Sequence, residues 1–164
     1  MDREVYASFT LRVAQHPSET AAYMMTRVLA YCLEYEEGIA FAEGGVSSSD
    51  EPAVLVRDLT GRITAWIEIG APDAGRLHHG SKLADRTAVY THRDPAKLLT
   101  SWAGKPIHRA QEIPLRSFDP GFIANAVESI SRRNALSLSV TEGQLYLTLN
   151  EATLETAIHA HRIP

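Results

Sequence analysis

Three acidic side chains near the middle of this chain have a spacing that suits a hard divalent cation. Asp50 and Glu51 stand immediately before Pro52, where a polar loop feeds an apolar run, and Glu68 lies near the end of the next apolar run. A turn at Thr60-Gly61 folds the two runs back alongside each other, which brings the acids together. Cations such as Mg2+ take oxygen ligands and commonly use one or two carboxylates together with phosphate oxygens of a substrate. Such a site hydrolyses phosphodiesters when a neighbouring cation stabilises the developing negative charge. Lysine is scarce here, since the sixteen basic residues include only Lys82, Lys97 and Lys105. Lys82, on the segment after Glu68, is the candidate for that role, and Arg76 and His79 are further cationic or proton-carrying candidates. The plainer alternative is that Asp50 and Glu51 are loop acids, Glu68 a solvated strand residue and Lys82 a solvated helix charge, because charged side chains are mostly exposed.

The elements that would position these residues follow from hydrophobic period. Residues Val5 to Val13 alternate apolar and polar, the pattern of a half-buried strand. From Ser18 to Glu36 the period changes, and Met25, Val28, Leu29, Cys32 and Leu33 line one helical face, with Pro17 and Ser18 suited to the first turn. Ile39 to Ala42 predicts a short strand before the polar loop 43–50. Ala53 to Leu59 and Arg62 to Ile69 then read as a hairpin, with Ile63, Ala65, Ile67 and Ile69 on one face and Thr64, Trp66 and Glu68 on the other. Pro72-Asp73 opens a helix to about Asp85, Thr87 to His92 is a strand, and Asp94-Pro95 starts a helix with Leu98, Leu99 and Trp102 inward. Gly104 and Pro106 end it, and Ile107 to Arg116 is extended. Asp119-Pro120 starts a further helix with Phe122, Ile123, Ala126, Val127 and Ile130 inward, closed by Arg132 and Arg133. Ala135 to Val140 and Gln144 to Leu149 form a last hairpin around Glu142-Gly143, and a poorly ordered tail is expected after it.

Composition narrows the field. Twenty acidic residues against sixteen basic ones give a net charge of −4 over 164 residues, which describes one acidic domain large enough to hold a core without staples. The single cysteine, Cys32, cannot form an internal disulfide, and this points to a reducing cytoplasm. No apolar stretch approaches the length of a membrane span. His78 and His79 are adjacent on a helix and diverge by about 100°, which disfavours zinc. Ser47-Ser48-Ser49 lacks a nucleophile elbow, and neither a phosphate-binding loop nor a dinucleotide fingerprint is present.

The middle of the chain therefore runs helix, strand, strand, strand, helix, strand, an α/β (α+β) order in which helices flank a mixed central sheet. That is the core order of the PD-(D/E)XK nuclease fold, whose motif places a lysine two residues after the strand carboxylate. Here the run is Glu68-Ile69-Gly70, so the third motif position is glycine. The blocks His16-Pro17-Ser18-Glu19-Thr20, Met24-Met25, Asp50-Glu51-Pro52 and Trp66-Ile67-Glu68-Ile69-Gly70-Ala71-Pro72-Asp73 resemble the bacterial YaeQ family across nearly the whole chain. The resemblance implies a variation on the PD-(D/E)XK fold, with Asp50, Glu51 and Glu68 as site residues and Mg2+ as the cofactor, and Glu19, where the positive end of a helix dipole favours a carboxylate, is a further candidate. Family members begin with an extra strand paired to the one at Val5 to Val13. The resemblance thus makes residues 1–164 a single YaeQ-like domain lacking the family's first strand. Relatives carry lysine near the position of His79, so the motif lysine does not transfer residue by residue to Lys82.

Three functions fit these residues. One is a Mg2+-dependent nuclease with Asp50, Glu51 and Glu68 on the metal and Lys82 assisting. Another is a non-catalytic nucleic-acid or transcription-associated module on the same scaffold. The third is a protein-binding adaptor, favoured by the acidic balance because strong nonspecific nucleic-acid binding usually needs a basic face. A cluster of Arg57, Arg62, Arg76 and Arg86 is the candidate for such a face.

Overall fold

The computed structural model describes residues 20–42 and 51–164. The strand expected at 5–13, the loop at 43–50, Glu19 and Asp50 lie outside the described residues. Helix α1 spans Ala21–Leu33 and is followed by β1 (Ile39–Phe41), β2 (Val54–Arg57), β3 (Ile63–Ile69), α2 (Ala74–Leu83), β4 (Arg86–Tyr90) and α3 (Pro95–Trp102). After a short 3-10 turn at Ala110–Glu112 come β5 (Pro114–Phe118), α4 (Phe122–Glu128), β6 (Leu136–Thr141), β7 (Gln144–Leu149) and β8 (Ala152–Arg162).

The strands form one mixed, curled sheet in the order β1-β2-β3-β4-β5-β8-β7-β6. Only β3–β4 and β4–β5 are parallel, and their connections are the helices α2 and α3. The expected poorly ordered tail is instead β8, the longest strand of the sheet. Residues 152–157 pair with β7 and residues 158–162 pair with β5, so this one strand joins the C-terminal hairpin to the parallel core. Its buried Thr156 hydroxyl accepts the Asp119 N–H at 2.7 Å, which ties the strand to the end of β5.

The pleat of β3 sorts its side chains as the alternation predicts. Ala65, Ile67 and Ile69 pack with Met25, Leu29 and Ala30 of α1 and with Phe122, Ile123 and Ala126 of α4. Trp66 and Glu68 point the other way, towards α2. A second core on that side gathers Ala74 and Leu77 of α2, Leu98 and Trp102 of α3, Val89, Leu115 and Ile163. The molecule is thus a sheet with α1 and α4 on one face and α2 and α3 on the other.

Local chemistry moves several element ends. Thr20 caps α1, its hydroxyl oxygen accepting the Tyr23 N–H at 3.0 Å, and Pro17 and Ser18, expected in the first turn, lie outside the described residues. Cys32 and Leu33 are only half-buried. Asp73 and Asp94 cap α2 and α3 as expected, accepting from Arg76 N–H at 2.8 Å and Ala96 N–H at 2.9 Å. Asp119 does not cap α4: its carboxylate accepts from Ala157 N–H at 3.1 Å and meets His159 at 2.6 Å, so the helix starts at Phe122 after a left-handed Gly121. It ends at Glu128, which leaves Ile130, Arg132 and Arg133 beyond it.

Candidate functional site

Glu68 is a buried carboxylate, 3% exposed, on the α2 face of a central strand. An ionised group in that position needs partners. Trp66, two residues earlier on the same face, donates its indole N–H to Glu68 Oε2 at 3.0 Å. Arg76 donates Nε to Oε2 at 2.8 Å and Nη2 to Oε1 at 3.3 Å, a two-pronged guanidinium–carboxylate contact. Asp73 sets this contact up, because capping α2 places Arg76 in the helix's first turn, over Glu68. The helix also comes very close to the strand. A Cβ on Gly80 would sit 2.5 Å from the Trp66 ring, so only glycine lets α2 lie where Arg76 reaches Glu68.

Arg76 also links this group to the other predicted acid. Its Nη2 donates to the Glu51 carbonyl at 3.1 Å, while the Glu51 carboxylate pairs with Arg57. Arg57 in turn donates to the Gly61 carbonyl at 3.0 Å. Glu51 and Glu68 are therefore brought together at one arginine, and each carboxylate is held by a guanidinium. Lys82 is exposed in the last turn of α2, six residues beyond Arg76 and on another side of the helix. His79 is exposed and meets the Trp66 ring edge-on at 5.7 Å. Gly70, in the position of the motif lysine, has φ +84°, and a Cβ there would lie 3.3 Å from the Tyr23 ring. A lysine at that position is strained by the backbone and crowded by α1.

These donors do not suit a hard cation. The oxygens that Mg2+ would need on Glu68 accept three N–H groups, the Glu51 carboxylate faces Arg57, and among the described residues no three His, Cys, Asp or Glu side chains gather as a metal-binding group. The arginine cluster predicted as a basic face is also neutralised. Arg57 pairs with Glu51, Arg62 with Asp58 and Asp85, Arg76 with Glu68, and Arg86 with Glu34 and Glu36. Sequence reasoning singled out Arg76 but missed Trp66 as a partner of Glu68. The period-2 pattern that put both on one face was the available signal.

The second buried carboxylate was not anticipated. Glu34, at the C-terminal end of α1 and 2% exposed, accepts from Arg86, from the Tyr90 hydroxyl and from Arg116, the last at 3.1 Å. Burial pushes its carboxyl up, and the Tyr90 hydrogen bond with the Arg86 and Arg116 charges outweighs that push and holds it below the ordinary range.

The fold and this site define a single mixed α/β domain in which two buried carboxylates, one on each side of the sheet, are held by arginines. The sequence model of the YaeQ protein family matches residues 1–158, and the chain belongs to that family. It is 29% identical over 166 aligned positions to the uncharacterized protein YaeQ of Salmonella typhi, covering all of this chain and 91% of that protein. The uncharacterized YaeQ of Escherichia coli K12 is 27% identical with the same coverage. The crystal structure of YaeQ from Xanthomonas axonopodis pv. citri superposes with a TM-score of 0.87 at 26% identity, over all of this chain and 93% of that one. YaeQ from Pseudomonas syringae gives 0.82 at 28% identity, over 95% and 86%.

Proposed function

We propose that this chain is a non-hydrolytic binding module on a PD-(D/E)XK nuclease-like scaffold, acting on nucleic acid or beside a transcription-associated protein. The observation that carries this reading is the Arg76–Glu68 contact. A nuclease of that class needs free carboxylate oxygens for its metal, and here a guanidinium occupies them. Charge-assisted, two-pronged pairs are the strong ones, and the low dielectric around a buried carboxylate strengthens them further. The glycine in the motif-lysine position points the same way. A cytoplasmic setting belongs to the same proposal. It is supported by the cysteine count, since the single Cys32 has no partner for an internal disulfide. Among the described residues no helix is long and apolar enough to cross a membrane.

The competing reading is a Mg2+-dependent nuclease using Asp50, Glu51, Glu68 and Lys82. One observation favours it, namely that Glu51 and Glu68 meet at the same arginine side chain. Incubation with single-stranded and duplex DNA and RNA, in Mg2+ or Mn2+, separates the two. The proposal expects every probe to remain intact with the wild type and with Glu68→Gln alike. Cleavage by the wild type that Glu68→Gln abolishes would overturn it.

A further inference from the structure

Among the described residues several cations have no carboxylate partner, Lys82, Arg109, Arg132, Arg133 and Arg162 among them, and three more fall together in one groove. Arg93, Lys97 and Lys105 take part in no ion pair among the described residues, all three are exposed, and all three line one open groove of about 590 Å³. Arg93 follows β4 at the carboxyl end of the parallel strands, Lys97 sits in the first turn of α3, and Lys105 lies just past the end of that helix. The groove therefore holds two of the chain's three lysines. Its other lining residues include Pro72, Leu98 and Trp102, which give it an apolar floor.

Two acids share the groove, Asp73 and Asp94. Both are the caps of α2 and α3, and their carboxylates accept backbone N–H groups at the positive ends of those helices. Their charge is thus partly offset locally, and with three cations against these two acids the groove keeps a formal charge of +1. Trp102 is 1% exposed and donates its indole N–H to the Pro72 carbonyl at 2.9 Å, so no aromatic face is offered for stacking. A ligand held here is recognised by charge along its length.

We infer that the Arg93–Lys97–Lys105 groove is a sequence-independent binding surface for the phosphate backbone of a single nucleic-acid strand. This rests on the binding-module reading above and gives it a surface separate from Glu68. Lys97 lies on α3, a helix of eight residues about 12 Å long, with Arg93 before it and Lys105 after it, and so few cations in one groove suit one row of phosphates rather than the two rows of a duplex. Two lysines present point charges, and Arg93 adds the fork that matches phosphate oxygens. Because each neutralised phosphate releases counterions, three contacts to a single strand give a slope of log K against log salt of about −2.

Fluorescence anisotropy with a labelled single-stranded oligonucleotide of mixed sequence, across a salt series, tests this. The wild type is expected to bind with that slope, and Lys97→Ala/Lys105→Ala to bind weakly with about a third of it, near −0.7. Arg132→Ala/Arg133→Ala, altering exposed arginines elsewhere, is expected to behave as wild type. No binding by the wild type, an unchanged slope in the lysine double variant, stronger binding of the matching duplex, or equal competition by poly-glutamate would each overturn the groove assignment. Hydrolysis of the same probe in Mg2+ would instead overturn the reading on which it rests.

Discussion

Among the described residues the two faces of the sheet each bury one glutamate, and they treat it differently. Glu34 is held by Arg86, Tyr90 and Arg116, residues 52, 56 and 82 positions away, so a single carboxylate pins the end of α1 to β4 and β5. Glu68 is held by Trp66 and Arg76, two and eight positions away, within one strand–helix unit. The first arrangement is a clasp between distant elements and opens only if the fold opens. The second depends on one side chain that is partly exposed, and it faces the loops where Glu51 lies. A buried charge on a central strand is thus not in itself a sign of chemistry. How many elements its partners come from separates a structural clasp from a candidate site.

The largest effect that separates the two is expected at the clasp. Glu34→Ala leaves the Tyr90 hydroxyl without its acceptor and the Arg116 charge with only the neutral Tyr90 oxygen, and breaking a buried pair in this way costs about 3–5 kcal/mol. Urea unfolding should show a midpoint far below that of Glu68→Gln. The latter keeps an amide oxygen for Trp66 and Arg76 Nε but loses the negative charge opposite Arg76 and turns an amide NH2 towards Arg76 Nη2, an expected cost of about 1–3 kcal/mol. Equal losses at the two sites would break the distinction drawn here.

Gly80→Ala perturbs only the Glu68 side. Its new methyl meets the Trp66 ring at 2.5 Å, so α2 or the indole must shift, at an expected cost of about 1–3 kcal/mol. Because the shift pulls Arg76 and Trp66 off Glu68, the variant should be non-additive with Glu68→Gln and additive with Glu34→Ala in double-mutant cycles.

Acid sharpens the contrast further. Glu34 titrates below the ordinary glutamate value of 4.5 in the folded chain, so its clasp stabilises fully above that value and loses its contribution as pH falls through the lower folded one. Stability measured from neutral pH down to acid should fall less steeply in Glu34→Gln than in wild type. The smallest effect is expected at the exposed Arg62–Asp85 pair, where Asp85→Asn should leave the urea midpoint close to that of the wild type.

Much of this architecture was legible in the sequence because it is local. The Val- and Leu-rich run of β2 and the alternation in β3 gave the hairpin, and the alternation placed Trp66 and Glu68 together opposite Ile67 and Ile69. Aspartates before apolar periods gave the starts of α2 and α3. What stayed hidden depended on distant pairing. β8 carries few large apolar residues and is held by two partner strands at once, so its own period says little. Glu34 lies at the edge of a helical stripe, and nothing within a helical turn reveals that Arg86, Tyr90 and Arg116 will converge on it. At the site itself, the broken motif at Gly70 was plain, whereas its cause, a left-handed backbone against the Tyr23 ring, required the packing of α1 on β3. Arg76 was visible as a candidate cation, but its role as the group that holds Glu68 follows from the close approach that Gly80 allows.

The central claim is that Glu68 belongs to Arg76 and is not a ligand waiting for a cation. Calorimetric titration of Mn2+ into the wild type and Glu68→Gln addresses it directly. The account predicts superimposable titrations for the two proteins, with no heat that depends on Glu68. A one-to-one Mn2+ site in the wild type that disappears in Glu68→Gln would contradict it.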